Sequence, residues 1–360
     1  MAIKLQHYVP QVYLRAWKNT TGVYLFKKND LEIGNLRNTD SILAKNHTYT
    51  IDYDHTFVFK EMPEIAKDYG NKMQEVLNKH NAIAVYEGEE LKTVKRLVAS
   101  DTFPFLDKWQ FYQKNNRDNL ARKKAILNEI KSLHSYVIEN KLDSFLENDW
   151  PNTRDKFIEA VESITDYKTM TNVKIEKRVV VKLIYSMLIL MCRNPAFDCF
   201  GVYPKIENAF KSIFEINKMG EEERKKSQKV VDQQIHAAWL AEIYKGLFQN
   251  EKGFCEIYAE NIEKKCQIVL FRCCEDNGSF ITSDNPAFMF INNVMKYNRN
   301  GFYIPLTPQY LLFIGKGEDD IGSIDVKSLS NKGVKIQNSI ILSKAVNSVV
   351  SNRKYLGYIL

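Results

Sequence analysis

The sequence predicts an α+β fold, with a mixed or antiparallel β body built from the two ends of the chain and a large helical insertion between them. Three observations predict it. Residues 1–60 alternate short β-branched and aromatic runs with turn residues. Residues 61–250 place apolar side chains at helical spacings of three and four, as in Trp239, Ile243 and Leu247. Residues 251–360 return to short strands bounded by Pro, Gly and Asn. At 360 residues the chain is long for one hydrophobic core, which fits an insertion or a second domain. With 44% hydrophobic and 26% charged residues, it has the composition of a folded protein.

In chain order, the first segment (1–60) reads as strands at GVYLF, KKNDLEIGN and HTYTIDYDHTFVF, with Asn-Asp and Ile-Gly-Asn as turn chemistry. The helical region (61–250) opens at Glu61-Met-Pro-Glu, where proline fits a first turn. Further helices are expected over about 104–147, 151–165, 174–193, 203–217 and 221–249. In the last segment (251–360), CQIVLFRC and SFITSD flank CEDNG, whose Asn277-Gly278 is a hairpin signal. AFMFI, FYIPLT and YLLFIG follow as strands. IQNSIILSKAVNSVVSN (336–352) has helical spacing, and KYLGYIL is expected to close as a strand packing with the first segment.

The bulk numbers limit the functional classes. The opening MAIKLQHYVP lacks the apolar core of a secretory signal, and the longest apolar run, Val179 to Cys192, contains Lys182 and is shorter than the roughly 20 residues of a membrane span. No membrane partner is expected. The six cysteines form no C-x-x-C pair and have no histidine at zinc-finger spacing, a pattern of free thiols in a reducing cytoplasm. A net charge of +7 permits nucleic-acid binding without arguing for it alone. The basic residues concentrate in two runs. Lys114 to Lys131 holds six basic and two acidic residues, and Val173 to Lys182 holds four and one. Each is either a solvated helix face or a strip for a polyanion. No P-loop, G-x-G-x-x-G after a strand, H-E-x-x-H or G-x-S-x-G is present.

Three clusters carry candidate chemistry. The first is HYVPQVYLRAW (His7 to Trp17). Pro10 opens a short helix, His7 sits just before it, and Gln11 and Arg15 share a flank, so a histidine, a helix start and an arginine converge on a candidate phosphate site. The structural alternative has His7 bonding a carbonyl and Tyr8, Val9, Tyr13 and Trp17 packed as core. The second is FITSDNPAFMF, where Ser283, Asp284 and Asn285 end a strand, in a site position or as ordinary Asx turn chemistry. The third is CRNPAF, where Arg193 either closes the carbonyls of its own helix or reaches a carboxylate or phosphate. Two weaker candidates are His47, Asp52, Asp54 and His55, which strand alternation splits between two faces, and His236 beside Trp239 on a helix. His80 and His134 read as surface residues.

HYVPQ-x-YLR-x-W, RNPAF, ITSDNP and PLTP, in that order, resemble the bacterial and phage HYVP-motif family, a domain of unknown function. The tail NSIILSKAVNSVVS is similar to that family's closing helix, with Asn338 near its start and Ala345 midway. The resemblance implies that His7, Gln11, Arg193, Ser283, Asp284 and Asn285 belong to one template. It carries no activity over, and the middle helical zone does not align with the family pattern.

The functional expectation is a phosphodiester-cleaving enzyme, a nuclease favouring RNA over DNA, in the setting of a phage-defence or toxin effector. His7 is then the general acid or base, with Asp284 orienting it or binding a divalent ion. Arg193 and Arg15 offset phosphate charge, and Gln11, Ser283 and Asn285 position substrate. Cofactors stay open: Mg²⁺ or Mn²⁺ is the candidate, and a metal-independent RNA cleavage stands beside it. The alternatives are a non-catalytic interaction protein, whose HYVPQ and SDNP groups form a structural network and whose helical region contacts a protein partner, and an enzyme acting on a small nucleotide.

Overall fold

A computed structural model describes residues 5–46, 63–133, 148–163, 170–192, 194, 218, 220–222, 252–264, 266–273, 278–290 and 301–360. The elements are β1 (Leu5–His7), α1 (Gln11–Leu14) running into a 3-10 turn (Arg15–Trp17), β2 (Val23–Lys27), β3 (Asp30–Arg37) and β4 (Ala44–Asn46). Next come α2 (Pro63–Lys79), β5 (Ala82–Tyr86), β6 (Glu89–Glu90), α3 (Val94–Leu97), β7 (Gln110–Gln113), β8 (Asn116–Leu120) and α4 (Lys123–Lys131). They are followed by α5 (Trp150–Glu162), β9 (Met170–Lys174), α6 (Lys177–Cys192) and α7 (Phe254–Lys264). The chain closes with β10 (Cys266–Cys273), β11 (Thr282–Ser283), β12 (Phe288–Phe290), β13 (Gly301–Thr307), β14 (Tyr310–Asp319), β15 (Ser323–Leu329), α8 (Asn331–Lys344) and β16 (Ser348–Ser351).

The fold is α+β with antiparallel and mixed sheets, and it divides into two units. One comprises His7–Lys45, Ser144–Phe200 and Cys255–Leu360; the other comprises Met1–Gln6, Asn46–Asp143 and Gly201–Phe254. In the first unit, a six-stranded sheet runs β12-β13-β14-β10-β15-β9. Its central strand β10 pairs antiparallel with β14 and parallel with β15. CQIVLFRC is apolar almost throughout because the strand is covered on both faces. A four-stranded sheet in the order β11-β16-β2-β3 joins the two ends of the chain, with Val349 opposite Phe26 and Val350 opposite Leu25. Phe26, Phe271, Phe280, Phe313, Ile341 and Val349 belong to one buried core. Gly34 in β3 admits the Phe26 ring so closely that a Cβ there would lie 2.5 Å from it.

Residues 144–200 carry α5, β9 and α6 and cluster with the terminal strands, because β9 pairs with β15 along the edge of the six-stranded sheet. The helix expected over about 174–193 is present as α6, and its second half is buried on every side.

In the second unit, a sheet of order β6-β5-β7-β8 packs with α2 and α4, whose shared core includes Tyr69, Met73, Trp109, Phe111, Ile126 and Ile130. The Tyr69 hydroxyl donates to Ile130 O at 3.0 Å. This corrects the helix expected over about 104–147. Among the described residues of that span, 103–108 form a 3-10 turn and 110–120 a hairpin, while 123–131 are helical; 134–147 lie outside the described residues. The physical reason is the alternation in WQFY, where Trp109 and Phe111 are buried and Gln110 between them is exposed.

Three further corrections concern the last segment. CQIVLFRC and SFITSD are not hairpin partners: β10 lies between β14 and β15, whereas β11 pairs with β16. The helix expected to reach residue 352 stops at Lys344, because Val349 and Val350 gain more by joining the β2 ladder with their side chains buried. KYLGYIL forms turns in place of a strand, with Ile359 N donating to Leu356 O at 2.8 Å. The expected strand HTYTIDYDHTFVF and His47, Asp52, Asp54, His55, His134, His236 and Arg193 lie outside the described residues. His80, expected at the surface, is partly buried with Nε2 2.8 Å from Glu129 Oε2.

Two outcomes test this packing. Gly34→Ala should lower stability by about 1–3 kcal/mol through overpacking against Phe26, read from the denaturation midpoint; an unchanged midpoint would contradict the close approach. Lys79 and His80 hold the Glu129 carboxylate below its usual range. The folded state therefore gains stability above the unfolded carboxylate's pKa and loses it as pH falls through the depressed value. Melting temperature should fall less on acidification in Glu129→Gln than in the unaltered protein, and parallel curves would refute the clamp.

Candidate functional site

Pro10, with φ −56°, opens the four-residue α1, and Tyr8 N and Val9 N both donate to Leu43 O. Tyr13 and Trp17, one turn apart, are buried on the same side, with ring centroids 5.1 Å apart. The Tyr13 hydroxyl donates to Pro305 O at 2.7 Å and lies 2.8 Å from Thr282 Oγ1. Trp17 Nε1 donates to Phe280 O at 2.9 Å. The HYVPQVYLRAW stretch thus meets both ITSDNP and PLTP. Burial pushes the Tyr13 phenol far up, only partly offset by its bond to Thr282 and the charge of Arg154, so it stays a protonated donor.

The SDNP turn closes the other side of this network. Asp284 Oδ1 accepts from Val346 N at 2.8 Å, and Oδ2 accepts from Asn347 N at 2.7 Å and Ser348 N at 3.0 Å. Three consecutive amides just past the C-terminus of α8 therefore converge on one carboxylate. Asp284 N donates to Ser348 O, and Asp284 O accepts from Asn194 Nδ2 at 2.6 Å. Asn285 Nδ2 donates to Lys344 O, the last carbonyl of α8, and Ser283 Oγ both donates to Asn285 O and accepts from Asn285 N. Asn338, wholly buried in α8, accepts from Ile281 N and donates to Ser279 O and Ile359 O.

Ser283, Asp284 and Asn285 are brought together, all at 7% exposure or less. His7 does not join them. Its ring Nε2 lies 3.0 Å from Asp40 O, while both Asp284 carboxylate oxygens are given to the 346–348 amides. Asp284, expected as a catalytic or metal-binding group, is 3% exposed and in this structure clamps three backbone amides. Asn285 and Ser283, expected to bind substrate, hold the same turn. Gln11 is half-buried and Arg15 is exposed, on or just past α1. Among the described residues no group of three or more His, Cys, Asp or Glu is placed to hold a metal ion. Cys192, Cys255, Cys266 and Cys273 are free buried thiols, and no described helix is long and apolar enough to cross a membrane.

Sequence reasoning passed over the groups that do the joining. Tyr13 and Trp17 read as core, and the hydroxyl and indole donors that make them connectors had no visible partner in sequence. Asn338 was singled out only as part of the closing-helix resemblance, without a partner, and Asn194 stood beside the arginine that drew attention.

The network has a measurable strength. Asp284→Asn places amide hydrogens among three backbone donors and should cost about 2–4 kcal/mol, and Tyr13→Phe about 1–3 kcal/mol by stranding Pro305 O. Both are read from the denaturation midpoint at constant m-value, and losses under about half a kilocalorie in both variants would contradict the geometry.

Comparison with curated proteins and with solved structures finds no match. Residues 5–355 match the model of the family described as a protein of unknown function (DUF4238), and over nearly its whole length the chain belongs to that family.

Proposed function

We propose that this protein binds nucleic acid non-specifically through a basic hairpin and helix in the β5–β8 unit, with the HYVPQ–SDNP network serving as structure. The observation that carries this reading is the different fate of the two basic runs. In the second run, Lys177 pairs with Asp320, Arg178 with Glu176 and Lys182 with Asp149, so its charge is largely spent internally. In the first, residues 113–120 and 122–124 are all exposed. Lys114, Arg122 and Lys124 have no carboxylate partner among the described residues, and between them the chain offers a single acid, Asp118. Arg117 pairs with Glu90, and Lys123 donates to Asp107 O. Asn115, Asn116 and Asn119 add amides to the same exposed stretch. Cations without partners beside hydrogen-bonding amides suit a phosphate backbone, whose affinity comes from released counterions.

A second reading, phosphodiester cleavage, is favoured by what remains accessible at α1: Gln11 and Arg15 have no side-chain partner among the described residues, and His7 is only half-buried. In that reading His7 supplies general acid–base catalysis and Arg15 offsets phosphate charge, without Asp284.

Binding of labelled single-stranded RNA and DNA, measured across a salt series, separates these. A Lys114→Gln, Arg122→Gln, Lys124→Gln variant should weaken binding and flatten the salt slope by about 2, since each phosphate that is no longer neutralised removes roughly 0.7–0.9 from it. An unchanged slope in the folded variant refutes the surface. Product formation that His7→Ala abolishes would establish cleavage in its place.

A further inference from the structure

Helix α5 begins at Trp150 with an unusual set of open donors. Trp150 is 3% exposed, and its indole Nε1 is buried without an acceptor among the described residues. An unmet buried N–H is a sizeable penalty that the fold retains. One turn further along, on the same helix face, stands Arg154. Its side chain is only 13% exposed, and Nε donates to Asp155 Oδ1 at 2.7 Å, which fixes the plane of the guanidinium. The two Nη groups meet no acceptor among the described residues.

The helix start adds to this pair. Its first turn contains no acidic residue and its N-cap side chain makes no capping bond, because the Asp149 carboxylate is held by Lys182 and Asn152. The first amides of a helix have no intrahelical partner, and Pro151 has no N–H to offer among them. The helix dipole favours negative charge at this end. Across from α5 lies α1, with the Tyr13 and Trp150 rings 5.8 Å apart, and the positive charge of Arg154 reaches the Tyr13 phenol.

We propose that the start of α5 is a phosphate-group site, in which the Arg154 guanidinium fork and the Trp150 indole N–H hold a phosphoryl group at the open helix N-terminus. A phosphate matches this donor set better than a neutral ligand, since it presents several charged acceptor oxygens to a planar fork, an indole N–H and free amides. The site lies in the unit that holds α1 and the SDNP turn, and it stands independently of the basic hairpin. The phosphate can belong to a free anion, a mononucleotide or a nucleic-acid backbone.

The test uses the full chain with its four tryptophans labelled with ¹⁵N. Each indole N–H gives one resonance, and Trp150→Phe identifies that of Trp150 while keeping an aromatic ring at the position. Inorganic phosphate, a nucleoside monophosphate and a short single-stranded oligonucleotide are titrated separately, with sodium acetate and chloride as controls. The expected result is a saturable shift of the Trp150 resonance with at least one phosphate-bearing probe, and the probe that acts at lowest concentration names the source. In Arg154→Gln the apparent affinity should fall about tenfold or more, with the other indole resonances in place to report an intact fold. Three results overturn the proposal: no Trp150 shift with any phosphate probe, an equal shift with acetate, or an unchanged affinity in folded Arg154→Gln.

Discussion

The Asp284 carboxylate, buried at 3% exposure and bonded to three consecutive backbone amides, is the interaction on which the terminal β body depends. The chain must leave α8 at Lys344 and enter β16 at Ser348, and this bend exposes amides that neither the helix nor the sheet can satisfy. One carboxylate satisfies all three, and Asn285 takes the last helix carbonyl. Only with that bend fixed does β16 reach its place between β11 and β2 and join the two ends of the chain in one sheet. Asn338 repeats the device one layer in, bonding β11's approach at Ile281 and the closing turn at Ile359.

The opening helix adds the third corner. Tyr13 and Trp17 send their polar tips to Pro305, Thr282 and Phe280, so segments from opposite ends of the chain are joined by side chains whose bodies also fill the core. Large aromatic groups with one hydrogen-bonding tip suit such a junction, since the ring gains from burial and the tip fixes register. The motifs HYVPQ-x-YLR-x-W, ITSDNP and PLTP are thus three sides of one structural joint, and Asn194 of RNPAF adds a bond from the end of α6 to Asp284 O. A buried polar network of this completeness resembles a catalytic constellation in sequence, because both need the same residue types in proximity.

Charge shows the same ambiguity resolved in opposite directions. Two basic runs look alike on paper, yet in the one that contributes β9 and α6 three of four cations pair with Asp149, Glu176 and Asp320, while Lys114, Arg122 and Lys124 of the other have no carboxylate partner among the described residues. Ion pairing is a property of which elements meet, and Asp320 reaches Lys177 from a turn in the last third of the chain. Arg154 is a further instance: an ordinary helix residue in sequence has a side chain only 13% exposed, with Nε bonded to Asp155.

Periodicity and short motifs are local, so the fold class, the β character of both ends and the buried helix α6 were legible from the chain alone, and the resemblance read from it agrees with the match to a family of unknown function. The sequence also placed Ser283, Asp284 and Asn285 in one turn. Partnership came only with the assembled chain. Tertiary structure set β10 between β14 and β15, made a hairpin from a stretch that helical residues had masked, and ended α8 early so that Val349 and Val350 could join β2. It also set the Asp284 carboxylate against the amides of residues 346–348. The physical reason is common to all of these: a strand's neighbours and a buried polar group's partners are supplied by residues distant in the chain, and the free energy that selects them is gained only when those residues meet.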